Sequence, residues 1–232
     1  MRATVLLTVL AGCASDNSIT QLCGFDRDAF NIEDVSVLQE AQAFGGMHDA
    51  VILHFDTTNL PETSAWRVSS VEVLPMIPQA DADTFQDGQS VTVQVFDGDD
   101  PTVAPLYEVR QKFEKGLLDW EDVTLSNPEN TPQKRQTMAW WNFNFEDTIP
   151  TTGLTSDDYI VGVAWGQAGL PTLGYSKYNL DCSVNWTDYD DGFGWVLNGA
   201  TSGDECNWPM LRVHVQVLEE RASCDGGSVA VQ

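Results

Sequence analysis

The chain has 232 residues, with 35 Asp and Glu against 11 Lys and Arg, a formal charge of −24 at neutral pH. A field of that sign repels nucleic acid and anionic headgroups, which argues against a nucleic-acid partner, and favours solubility and divalent cations. The acids are scattered rather than run together, the pattern of a solvated surface. In chain order the first feature is a short apolar run, Ala3 to Leu10, behind Arg2 and ahead of Ala11-Gly12-Cys13. A basic start, an apolar core and small residues before a cut are the three parts of an export signal. No later apolar run approaches the about 20 residues that a membrane-spanning helix needs.

Leu10-Ala11-Gly12-Cys13 resembles the lipobox of bacterial lipoproteins. The resemblance implies that residues 1–12 are a lipoprotein signal peptide and that Cys13 becomes the mature N-terminus, with lipid on its sulfur and amino group. Two or more acyl chains, at about 0.8 kcal/mol per buried CH₂, give stable anchoring. The expected membrane partner is therefore this N-terminal lipid. Ala14 and Ser15 follow with no Asp directly after the Cys, which by resemblance to enteric sorting rules points to the outer membrane. Residues 13–22 read as a tether, 23–224 as one domain and 225–232 as a C-terminal tail.

With Cys13 assigned to lipid, Cys23, Cys182, Cys206 and Cys224 remain, an even number in an exported chain. Three pairings are open. Cys182 with Cys206 closes a loop within one region, and Cys23 with Cys224 ties the domain ends together; this is the expected arrangement. Zinc is a poor reading, because no pair has Cys-x₂₋₄-Cys spacing.

Period-two alternation recurs from residue 51 to 218, the mark of half-buried strands. Val51, Leu53 and Phe55 alternate with Ile52 and His54, and Val91, Val93 and Val95 with Thr92 and Gln94. Trp141, Phe143 and Phe145 alternate with Asn142 and Asn144. Tyr159, Val161, Val163 and Trp165 form another such set, and Leu211, Val213, Val215 and Val217 the last. Turn signals separate them, among them Asp87-Gly88, Asp97-Gly98, Asn127-Pro128 and Asp191-Gly192. Helical periodicity is faint: Ile32 to Phe44 and Tyr107 to Leu118 are the only candidates, and both read better as strand or irregular segments. The fold class is all-β, an antiparallel β-sandwich of the jelly-roll type in a single domain.

The order of the apolar blocks carries a second resemblance. Phe44 to Phe55 is followed by Trp66 with Val71-Glu72-Val73, and then by Val91 to Gly98 with Pro101. Next come Trp120 with Val123-Thr124-Leu125, Tyr159 to Val163, Trp195, and Pro209 to Val213. This series resembles jelly-roll modules of secreted and surface-anchored bacterial proteins, which accompany other domains and have no known chemistry of their own. The resemblance covers roughly residues 40 to 218 and implies architecture more than function.

Catalytic signatures are missing from the sequence: no Gly-x-Ser-x-Gly, no His-Glu-x-x-His, no phosphate-cradling loop and no dinucleotide fingerprint. His48, His54 and His214 read as surface residues. The richest stretch runs from Tyr175 to Trp208. There Trp186, Tyr189 and Trp208, with Asn185 and Asp188, offer flat rings beside fixed amide and carboxylate groups, which is what a sugar site needs. The competing role is a satellite core that holds a long bridged loop down, and Trp195 among glycines reads as such an anchor. Calcium is the cofactor the acids suggest, with Asp97, Asp99 and Asp100 in one turn and Asp190 and Asp191 in another as ligands; neither fits the EF-hand spacing.

These features give a non-enzymatic, lipid-anchored extracytoplasmic protein that binds a glycan or an envelope protein. A carboxylate-dependent glycoside hydrolase and a structural subunit of a surface assembly are the alternatives. A raised carboxyl pKa in an aromatic groove would mark the first, and an exposed apolar patch or bare edge strand the second.

Overall fold

The computed structural model describes residues 21–31, 38–39, 48–58, 60, 65–83, 87–88, 90–127, 130–145, 153–166, 171–176, 185–188, 194–197, 208–221 and 228–229. In chain order the strands are β1 (Gln21–Asn31), β2 (Leu38–Gln39), β3 (His48–His54), β4 (Ala65–Val73), β5 (Pro75–Pro78), β6 (Ser90–Asp97), β7 (Tyr107–Lys112), β8 (Glu121–Asn127) and β9 (Asn130–Met138). They continue with β10 (Trp141–Asn144), β11 (Asp158–Trp165), β12 (Thr172–Leu173), β13 (Tyr175–Ser176), β14 (Asn185–Asp188), β15 (Val196–Leu197), β16 (Trp208–Pro209), β17 (Leu211–Arg221) and β18 (Ser228–Val229).

The fold is all-β and its pairings are antiparallel. One sheet has the order β10-β4-β17-β1-β18 and a second β15-β14-β3-β11-β6-β7. Their facing residues form one core: Val71, Val73, Phe143, Val213 and Val215 from the first, and Val51, Val93, Val95, Tyr159 and Val161 from the second. Alternation explains this, since every second residue of a strand points to the same face. Trp66 locks the two sheets at one end, with its ring 4.8 Å from Phe55 and 5.1 Å from Tyr159. At the other end Trp141 Nε1 donates to Gln111 Oε1 at 3.0 Å.

Two smaller sheets, β12-β5-β9-β8 and β16-β13-β2, complete the molecule. Leu74, Met76, Met138 and Met210 form a satellite cluster with Val123 and Trp140. Trp141 is in the core and Trp140 is not, as alternation requires. Instead Trp140 lies under Arg212, whose Cζ is 3.9 Å from the ring centroid and whose Nη1 donates to Glu72 Oε2 at 3.1 Å.

Strand pairing reaches into both segments read as tether and tail. Pairing begins at Gln21 opposite Arg221, and Ser228–Val229 returns to pair with Cys23 and Gly24. Tyr107 to Leu118 contains no α-helix: it is β7 followed by a 3-10 turn at Lys115–Leu117. The outward residues of this edge strand, Glu108, Arg110 and Lys112, are exposed. A charged edge of this kind discourages pairing with another chain.

Candidate site on the outer face of the six-stranded sheet

The antiparallel register of the six-stranded sheet places Trp186, Ala50, Gly162, Gln94 and Glu108 side by side across β14, β3, β11, β6 and β7. All five belong to the face turned away from the core. The next row on that face is Ile52, Ile160 and Phe96. At about 4.8 Å per strand, Trp186 and Gln94 stand roughly 14 Å apart. Between them the residues are small, and the space over Gly162 is tight: a Cβ there would lie 3.3 Å from the Phe96 ring and 3.6 Å from Gln94 Oε1.

This face is not bare. Ala50, Phe96 and Ile160 are buried, at most 2% exposed, under the half-buried Ile52, Trp186 and Trp195. Trp195 meets Phe96 edge to face at 6.4 Å. The β14–β15 pair extends the sheet beyond β3, with the Trp186 side chain and the preceding Trp195 packed on its outer face, and Thr187, one residue along, turns inward and donates to Asp49 Oδ1 at 2.9 Å. Both residues are half-buried, and the Trp186 Nε1 is buried without a hydrogen-bond partner. At the polar side of the same row, Gln94 Nε2 donates to Glu108 Oε2 at 3.0 Å. Rings, a fixed amide and a carboxylate thus share one face.

Sequence reasoning singled out Trp186 and the anchoring role of Trp195, and missed Ile52, Gln94, Phe96, Glu108 and Ile160. The signal was present. Tyr159 to Trp165 is apolar on both phases, as in a strand covered on both faces. Of the other candidates, Asp188 is half-buried and pairs with His48, Asn185 pairs with Val51, and Trp208 stands in the separate three-stranded sheet opposite Ser176. Cys23 lies on β1 between Glu219 and Val229. Cys13, Cys182, Cys206, Cys224, Tyr189, Asp190 and Asp191 lie outside the described residues.

The turn expected to hold calcium does other work. Both Asp97 carboxylate oxygens accept from Thr155 N, at 3.1 and 3.2 Å; Oδ1 also accepts from Ser156 N at 3.0 Å, and Oδ2 from Thr155 Oγ1 at 2.5 Å. Asp100 Oδ1 accepts from the Thr102 hydroxyl at 2.6 Å and the Thr102 N–H at 2.9 Å, and this hydrogen bonding holds its pKa below the ordinary value. Asp99 is exposed. The three therefore do not converge, and among the described residues no group of three His, Cys, Asp or Glu is placed to hold a metal ion.

At the same end, His54 Nδ1 and Asp158 Oδ1 lie 2.8 Å apart, and this bond raises the imidazole pKa. Asp56 is shifted down by hydrogen bonds from Thr58. A proton-donating carboxyl requires the opposite shift.

No protein-family model, no curated protein and no solved structure matches this chain.

Proposed function

We propose that the chain is a non-enzymatic, lipid-anchored extracytoplasmic protein with a jelly-roll sandwich, binding a glycan on the outer face of its six-stranded sheet. The strand order supports the jelly roll. Counting β1, β3, β4, β6, β7, β10, β11 and β17 as one to eight, the sheets contain the orders 1-8-3-6 and 2-7-4-5, the double Greek-key wrap. The observation that carries the binding reading is the row of Trp186, small residues, Gln94 and Glu108 on the face turned away from the inter-sheet core, where Trp186 and Trp195 cover a small apolar cluster and Gln94 and Glu108 form its polar edge. Rings stack on the apolar face of a sugar, and the amide and carboxylate bond its hydroxyls. Because the rings are packed down already, little side-chain entropy remains to be lost on binding.

The test is a glycan-array assay of the intact chain, run with calcium and with chelator. Saturable binding to one sugar class in both conditions is the expected result. A calcium requirement would bring the Asp-rich turns into the site. No binding in either condition would favour the structural subunit of a surface assembly.

A further inference from the structure

We infer that the end of the sandwich from which β1 rises faces the lipid bilayer, so that the opposite end, with the Lys115–Leu117 turn, is presented outward. The inference rests on the lipid anchor proposed above and adds an orientation to it. β1 begins at Gln21, paired with Arg221, and Ala65 of β4 pairs with Leu218 at the same end. Trp66 brings Phe55, Tyr159 and Leu154 of the other half to this end. The segments after β3, between β6 and β7, and before β11 are therefore its loops. The far end is fixed by Val73 opposite both Leu211 and Trp141, and by the Trp141–Gln111 hydrogen bond.

Reach decides which end meets the membrane. Eight peptide steps separate Cys13 from Gln21, and fully extended they span at most about 28 Å. Bringing the far end to the bilayer would require this segment to run back along all of β1, which has 11 residues and a length of about 33 Å. The inverted pose is out of reach. Charge holds this end off the surface rather than against it, so that it faces the bilayer across a gap: the near-end loops carry Asp56, Asp97, Asp99, Asp100, Asp157 and Asp158, with no Lys or Arg in 55–58, 97–106 or 153–158. An anionic surface repels such loops within a Debye length of about 8 Å.

The test uses two exposed side chains beyond opposite ends of β7, Val103 at 50% exposure and Leu117 at 74%. With six residues between them in strand, they are separated by at least roughly 17 Å along the sandwich. Val103→p-azidophenylalanine and Leu117→p-azidophenylalanine chains, each coupled to a donor dye, are purified from membranes. They are then reconstituted into phosphatidylethanolamine–phosphatidylglycerol vesicles carrying a headgroup acceptor. Energy transfer at least about twice as efficient from position 103 is expected. Equal transfer, or stronger transfer from position 117, on a chain whose N-terminal mass shows an acylated Cys13 overturns the orientation alone. An N-terminus without acyl mass overturns the anchor, and the orientation with it.

Discussion

Two tyrosines lie in the same core with opposite hydrogen-bond states, and removing each hydroxyl gives opposite results. Tyr107, 6% exposed, reaches from β7 to the other sheet, where its Oη accepts from Val68 N at 2.9 Å and donates to Val68 O at 3.1 Å. The need for it is topological. β10 pairs with β4 only as far as Asn144 opposite Ser70, so at Val68 the β4 edge has passed the end of its neighbour. Tyr107 supplies the bonds a strand would have made. Tyr159, fully buried, has a hydroxyl with no partner.

Tyr107→Phe removes two bonds and orphans a buried N–H and C=O, at a cost of about 2–4 kcal/mol. For a chain of this size that lowers Tm by about 5–15 °C. Tyr159→Phe removes only an unsatisfied hydroxyl and leaves stability unchanged or raised by up to about 2 kcal/mol. Urea unfolding of both variants beside the parent chain, with m-values checked for constancy, measures the difference. Equal destabilisation by the two substitutions would refute the reasoning, as would a loss below about 0.5 kcal/mol for Tyr107→Phe.

Burial raises the pKa of both phenols. The unfolded chain ionises near pH 10 while the fold keeps them neutral, so the stability present below about pH 10 falls as pH rises beyond it. Tyrosinate absorbance from these two residues should appear together with unfolding; its appearance in the native chain would contradict the burial. The His54 pKa is raised chiefly by its bond to Asp158, so the contribution of that pair is present below about pH 6.5 and is lost as pH rises through the folded value. Asp158→Asn should move the imidazole titration, followed by NMR, back toward its ordinary position. Gly153 has φ +59°, and a Cβ there would stand 2.8 Å from Trp66 O and 3.1 Å from Ala65 Cβ. Gly153→Ala should cost about 1–3 kcal/mol by thermal melting, and an unchanged Tm would refute the strain.

The strands of the inner faces were legible because Val93 and Val213 alternate with Thr92, Gln94, Arg212 and His214, and Val51 with Leu53 and Val161 with Val163 keep the same period of two. The outer cluster was legible only in the run Tyr159 to Trp165, apolar on both phases; elsewhere the same rule sends Ile52 and Phe96 to solvent. Only strand order reveals that β14 and β15 bring Trp186 and Trp195 over them. Asp97 shows the same limit. Its Asp-Gly turn is visible in the sequence, and Gly98 does take φ +91° there. The carboxylate, however, is committed to Thr155 and Ser156, whose closeness comes from the β6–β11 pairing. The edge-capping role of Tyr107 depends on where β10 stops and has no local signal.

The affinity and melting temperature of Gln94→Ala, measured together on the sugar class that the array selects, test the proposed site most directly. Gln94 is half-buried, and the hydrogen bond found for it is the exposed one to Glu108. The account predicts affinity at least about tenfold weaker, the equivalent of one hydrogen bond of about 1.4 kcal/mol, with Tm unchanged. Undiminished affinity in Gln94→Ala would contradict it, because the ligand would then lie elsewhere on the molecule.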